Sequence, residues 1–233
     1  FRYLHLITDG VITNSKANKE IVLKACPFLK NKNVSVIYNG VSSDFSQLKI
    51  DSTKSSEVVT MIVAASHQYN KNLRGLIEAL KLGSEDVRKK MNVIWFGDER
   101  DKSLKENIKL INEYNLNSVF QLKPATSNIK REYMSADVVG LFSFREGLPN
   151  TLCEAMYLGI PVISSDVSDM SSLIDNNFLC EPNSPQSILK AIVSFIELTE
   201  EDIYKISEDN RLTALKHFNL DKNADSYLNL FNS

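Results

Sequence analysis

Between Val58 and Cys180 the chain passes through six short strand candidates, most of them continuous apolar runs, and no other feature narrows its fold as much. They are Val58–Ala65, Val93–Phe96, Val119–Leu122, Val138–Phe142, Val162–Ser164 and Phe178–Cys180. A strand buried on one face alternates apolar and polar residues. A strand buried on both faces reads as an unbroken apolar run, as in a parallel sheet covered by helices on either side. Helical patterns fill the gaps. Leu73, Leu76, Ile77 and Leu80 fall at i, i+3, i+4 and i+7, a single apolar stripe. Ser103 reads as a cap before Leu104, Ile108 and Ile111, and Asn128 as a cap before Ile129 and Tyr133. Ser184-Pro185 reads as the N-cap and first residue of a helix carrying Ile188, Ile192, Phe195 and Ile196. The alternation predicts an α/β class fold, a Rossmann-like doubly wound parallel sheet of about six strands.

The flanks read differently. Gly10–Asn14 and Val34–Tyr38 are strand candidates around a helix at Lys16–Ala25, and Ser42–Ser56 is polar enough to be a linker. Near the end, Arg211–Phe218 and Asp221–Phe231 read as helices parted near Asn219. The first 50 residues carry a charge balance of +4 and the rest −6, within an overall −2. The basic part fits either an anionic surface or solvated helix faces. A near-neutral total argues against a dedicated nucleic-acid binder. With 8 Gly and 6 Pro in 233 residues, collagen-like and low-complexity readings fall away, and no apolar run is long enough to cross a bilayer. Cys26, Cys153 and Cys180 form no C-x-x-C pair and read as packed, reduced thiols of a cytoplasmic protein. Starting at Phe1 with no basic and apolar leader, the chain is expected to be part of a longer protein.

In an open parallel sheet, ligands bind beyond the carboxyl ends of the strands. The richest of those loops runs from Ser143 to Glu154. Gly147 admits close backbone approach, Pro149 stiffens the entry, and Asn150 or Thr151 can cap a helix whose free N–H groups favour an anion. Glu146 and Glu154 stand eight residues apart around that helix start. Carboxylates beside a phosphate site make sense if the ligand carries hydroxyls on either side of its phosphates, as a nucleotide sugar does. The plainer account is a solvated loop acid at Glu146 and a helix-favouring acid at Glu154. A second loop, Ala65–Asn72, puts Lys71 at a helix start, where the dipole disfavours a cation unless an anion faces it. A solvated lysine is the alternative there. His67 reads as a polar loop residue, and Asp98 as a solvated or ligand-touching acid.

Other chemistries lack their parts. The sequence has no G-x-G-x-x-G, no G-x-x-x-x-G-K, no H-E-x-x-H and no G-x-S-x-G, and His5, His67 and His217 are too scattered for a zinc site.

Together these segments resemble the family-4 (group 1) retaining glycosyltransferases of GT-B architecture. Val34–Val41 with Phe45 looks like the family's crossover motif V-x-V-I-x-N-G-V…F, and Thr13-Asn14-Ser15 like the T-x-S before it. Lys71-Asn72 with Leu76–Ala79 resembles K-N/G-x-x-x-L-I-x-A, and Tyr133–Val138 resembles Y-x-x-A-D-V. Glu146–Pro149, Glu154–Met156 and Gly159–Ile163 carry the E-x7-E pattern with its neighbours. Departures are Ser66, where the family usually has an Arg, and Lys123-Pro124, where it often has Gly. His67 is then a substitute candidate for the Arg's phosphate contact.

The resemblance implies the C-terminal half of a GT-B fold with a remnant of the N-terminal domain. Residues 1–50 would end the acceptor domain and cross over, 51–214 would bind the donor, and 215–233 would form a helix returning to the N-terminal domain. It implies catalytic roles for Glu146 and Lys71, and donor contacts from Ser66, Lys71, Gly147, Leu148, Pro149, Asn150, Thr151, Leu152 and Glu154. Glu154 would hold the ribose, Lys71 the diphosphate, and Gly147 to Leu152 would offer backbone amides. No cofactor or metal is implied. The implied partners are a nucleotide-sugar donor and a glycan or lipid-linked acceptor, reached through the absent domain at the inner membrane face. A nucleotide-sugar binding module without activity of its own and, more weakly, a GT-B sugar-nucleotide epimerase are the alternatives.

Overall fold

A computed structural model of the chain describes residues 10–27, 29, 34–46, 57–98 and 102–231. Its centre is a six-stranded sheet, every neighbouring pair parallel, formed by β3 (Val59–Ala64), β4 (Met91–Gly97), β5 (Phe120–Pro124), β6 (Val138–Leu141), β7 (Val162–Ser165) and β8 (Leu179–Cys180). The order is β5-β4-β3-β6-β7-β8, so the chain reverses direction across the sheet between β3 and β6. Two three-residue strands precede it, β1 (Val11–Thr13) and β2 (Val34–Val36). They pair in parallel around α1 (Lys16–Ala25).

The apolar runs are explained by burial on both faces. Met61, Ile62 and Val63 of β3 and Val138 and Val139 of β6 have no exposed surface. On one side lie α2 (Leu73–Leu82), α4 (Lys102–Glu113) and α7 (Pro185–Ile196). On the other lie α5 (Ile129–Met134), α6 (Asn150–Tyr157) and α8 (Glu200–His217). The edge strand β5 breaks the pattern, with Gln121 exposed and Pro124 at its end, as suits a strand with one open side.

Several helix ends form where the sequence places them. Ser184 caps α7 through the Ser187 amide, with Pro185 as the first residue. Other ends differ. Ser103 lies inside the first turn of α4 and its hydroxyl donates to the His67 carbonyl. Asn128 precedes α5 but makes no side-chain cap. A short helix, α3 (Glu85–Lys89), forms behind the Ser84 cap. The helix expected from Arg211 begins eleven residues earlier, at a Thr199–Asp202 capping box. Its buried face carries Ser207 and Asn210 beside Ile203 and Ala214, and those polar residues hide the stripe.

The chain then turns at Phe218–Asn219 into α9 (Leu220–Phe231), which returns to the crossover. Asn223 donates to the Tyr38 carbonyl at 2.8 Å, and the Val41 amide donates to the Phe218 carbonyl at 2.8 Å. Gly40 is required there, because a Cβ would lie 2.5 Å from the Leu220 Cα. Most of the expected linker at Ser42–Ser56 lies outside the described residues, as do His5, Arg2, Lys30, Lys32 and Lys49. Cys26, Cys153 and Cys180 are free and buried, and burial pushes the Cys180 thiol up to about 12. No helix among the described residues is long and apolar enough to cross a membrane.

Candidate functional site

The carboxyl ends of β3 and β6 are adjacent, so the loops that follow them meet. The Phe144 amide donates to the Asn70 carbonyl at 2.9 Å, and the Asn70 side chain donates to the Arg145 carbonyl at 3.0 Å. This stitching carries two charged side chains together. Lys71 Nζ donates to Glu146 Oε1 at 2.6 Å, with side-chain exposures of 25% and 14%. Charge-assisted bonds of this length are the stronger kind, and partial burial reduces their screening.

Lys71 is not at the helix start itself. It closes a 3-10 turn, Tyr69–Lys71, and Asn72 caps α2 from a left-handed conformation (φ 59°), accepting from the Gly75 amide. The local reason is Asn72. It tolerates that conformation and can cap at once. Its Nδ2 also donates to the Phe142 and Pro182 carbonyls, which fixes the turn to the end of β6.

The Ser143–Glu154 loop enters α6 through Pro149. Neither Asn150 nor Thr151 caps that helix, which departs from expectation: Pro149 occupies the cap position without a side-chain bond, and Asn150 Oδ1 accepts from Asn39 Nδ2 at 2.8 Å. The Leu152 amide is also not available to a ligand, because it donates to the Pro149 carbonyl at 3.0 Å. Leu148 and Leu152 side chains are core residues. The amides of Gly147, Leu148, Asn150 and Thr151 have no hydrogen-bond partner among the described residues. The start of α6 therefore has free donors and the positive end of the helix dipole.

Glu154 lies one turn into α6, partly buried, with no hydrogen bond or salt bridge to its carboxylate among the described residues. Desolvation holds its carboxyl above the usual carboxylate range. Its charge in turn pushes up the buried Tyr133 phenol and the Cys153 thiol, both already raised by their own burial. A half-buried carboxylate without a partner is costly to the fold and available to hydroxyl donors.

Ser66 lies in the same loop as Lys71, just beyond β3, and is partly buried. His67 cannot take the role suggested for it. It is 1% exposed and stacked on Trp95, with ring centroids 6.1 Å apart, and Gly97 closes over it so tightly that a Cβ there would lie 3.0 Å from Nε2. Among the described residues, no group of three or more His, Cys, Asp or Glu is placed to hold a metal ion.

Residues far from the loops in sequence complete the surroundings. Asn14 and Asn18, joined by a 2.8 Å bond, stand against Gly147, and the turn at Ser168–Asp169 lies on it as well. Sequence reading missed this cluster. Only the T-x-S segment around Asn14 hinted at it.

A parallel sheet that switches direction between β3 and β6, with the loops after those strands meeting, is a Rossmann-like arrangement, and its likeness to solved structures puts it in one class: the GT-B fold of glycosyltransferases. Solved structures share it. A glycosyltransferase from Rickettsia africae superposes with a TM-score of 0.85 at 20% identity, over 96% of this chain and 62% of that one. Anabaena Alr3699/HepE, in complex with UDP and glucose, gives 0.82 at 19%, over 97% and 63%. The family profile described as glycosyl transferases group 1 matches residues 44–212, and the chain belongs to that family. A UDP-Gal:alpha-D-GlcNAc-diphosphoundecaprenol alpha-1,3-galactosyltransferase of Escherichia coli is 27% identical over 96% of this chain and 60% of its own length. The putative teichuronic acid biosynthesis glycosyltransferase TuaC of Bacillus subtilis is 35% identical over 40% of this chain and 25% of its own. The chain thus spans less than two thirds of each of these proteins.

Proposed function

We propose that the chain is the donor-binding part of a glycosyltransferase that transfers a hexosyl group, with retention, from a nucleoside diphosphate sugar to a polysaccharide or glycolipid acceptor. The observation that carries this reading is the Lys71–Glu146 pair beside the free amides at the start of α6. A diphosphate would draw Lys71 Nζ from Glu146 and take the amides of Gly147, Leu148, Asn150 and Thr151. Glu146, released from the lysine, would accept hydroxyls of the sugar, and Glu154 those of the ribose. As the bond to the anomeric carbon breaks, charge grows on the departing diphosphate, where a fixed ammonium and a helix start stabilise it most.

In this reading residues 1–50 close the acceptor domain and cross over, 51–214 form the donor domain, and 215–233 return. Ser66, in the loop that also carries Lys71, would be a further phosphate contact. The acceptor class is suggested by the lipid-linked substrate in the name of the E. coli relative. With the basic first 50 residues it supports a peripheral place at the inner membrane face. Because the chain spans about 60% of that relative, a binding role without turnover is a second reading for the chain as it stands.

The test is calorimetric titration with UDP, suggested by the bound UDP of the Anabaena protein, against the other nucleoside diphosphates. Binding of none of them overturns the donor site. Donor hydrolysis by this chain, compared with a chain extended at its N-terminus, separates the two readings. The anomeric proton couplings of the product decide retention.

A further inference from the structure

We propose that Ser168 and Asp169 are a positioning pair that couples the placement of the β1–α1–β2 unit to the Glu146–Gly147 loop. On the donor reading above, diphosphate affinity then depends on a carboxylate committed entirely to protein donors.

Asp169 is 6% exposed, and both its oxygens are engaged. Oδ2 accepts from the Lys16 amide at 2.7 Å and from the Tyr38 hydroxyl at 2.7 Å, and Oδ1 accepts from the Ala17 amide at 2.9 Å. These donors come from the two ends of the small unit, α1 and the exit of β2. Helix α1 has no acidic residue in its own first turn, and the Ser15 hydroxyl accepts from the Asn18 amide alone. The Lys16 and Ala17 amides in the first turn of α1 are therefore satisfied from the turn after β7, by one carboxylate.

The preceding residue bonds the Glu146–Gly147 loop. Ser168 holds a left-handed backbone (φ 56°), a conformation unusual for a residue with a Cβ, and its hydroxyl donates to the Gly147 carbonyl. On Gly147, a Cβ would lie 3.2 Å from Asn14 Nδ2 and 3.3 Å from Asn18 Nδ2. Asn18 follows Ala17 directly on α1. The loop is thus held between the 168–169 turn and the start of α1, and the turn is itself bonded to α1. A shift of α1 that draws on Asp169 rotates the same turn whose neighbouring hydroxyl holds Gly147. The adjacent Glu146 and the free amides at the start of α6 move with it.

The test uses the whole chain and three substitutions, Asp169→Asn, Ser168→Ala and Tyr38→Phe, read by amide exchange over residues 144–150 and by UDP titration. Coupling predicts that Asp169→Asn and Ser168→Ala speed exchange in that segment about threefold or more. It also predicts UDP affinity about fivefold weaker, with uridine affinity unchanged. Tyr38→Phe should act in the same direction and more weakly. A local staple predicts faster exchange in 15–25 alone, with 144–150 and UDP affinity unaltered, and that result overturns the proposal. Should Asp169→Asn fail to fold, Ser168→Ala, which touches no donor of α1, decides the matter through exchange in 15–25: faster exchange there as well as in 144–150 supports the coupling, and faster exchange in 144–150 alone overturns it. If the unsubstituted chain binds no UDP, the donor reading falls, and the exchange measurement still decides the coupling.

Discussion

Lys71 Nζ and Glu146 Oε1 stand 2.6 Å apart although 75 residues separate them, and each is the other's partner across two loops. The pair holds the ammonium at the end of the 3-10 turn that precedes α2, and on the donor reading a diphosphate would draw it away. Lys71→Ala should weaken UDP by about tenfold or more, since a charge-assisted hydrogen bond contributes about 1.5–3 kcal/mol. Uridine should be little affected. Equal losses for both in calorimetry would show that Lys71 does not meet the phosphates.

Glu154 gives a pH dependence with a definite sign. Desolvation raises its carboxyl above the ordinary 4.5. The protonated form is the one the fold prefers, so this group's contribution is complete below about pH 4.5 and is lost as pH rises through the higher folded value. Glu154→Gln should therefore melt higher than the parent at pH 7, with the gap closing near pH 4. The same substitution should reduce nucleotide affinity at pH 7. A melting gap that is constant with pH would contradict the burial argument.

Thr199 and Asp202 bond reciprocally at the start of α8, with the Asp202 amide on Thr199 Oγ1 and the Thr199 amide on Asp202 Oδ2, each at 3.2 Å. Thr199→Ala removes one half of the box and should cost about 1 kcal/mol. For a domain of this size that is a fall of roughly 2–4 °C in Tm. UDP binding should be unchanged, because the box lies at the start of α8 and the donor loops lie beyond β3 and β6.

Gly97 ends β4 where a Cβ would lie 2.4 Å from the Ala65 carbonyl oxygen, a backbone atom held by the Trp95 indole at 2.8 Å. Gly97→Ala must part β3 from β4 or displace His67, at a cost of about 1–3 kcal/mol. Because Ala65 leads directly into the Lys71 loop, chemical denaturation should show the loss of stability and calorimetry a weaker UDP site. A variant as stable as the parent would mean the strand ends are looser than the geometry shows.

The six strands, the loops that carry Lys71 and Glu146, and the helix start that carries Glu154 were legible because burial on both faces leaves a local record: mostly unbroken apolar runs, then Gly, Pro and Asn where the chain turns. Ser184-Pro185 and the break near Asn219 were legible for the same reason. The start of α8 was not, since its buried face mixes Ser207 and Asn210 with apolar residues and erases the period. His67 reads as a loop residue and becomes a core residue through Trp95 and Gly97, which reach it from another strand.

What the sequence decided by itself was everything governed by short-range chemistry: the sheet, its order of strands and helices along the chain, and the kinds of groups at the strand ends. What only the tertiary structure decided was which of those groups touch. Lys71 finds Glu146 because β3 and β6 lie side by side, and Asp169 closes the end of a helix more than 150 residues before it. Neither pairing leaves a local trace, because a hydrogen bond between distant segments constrains each residue's type and not its spacing.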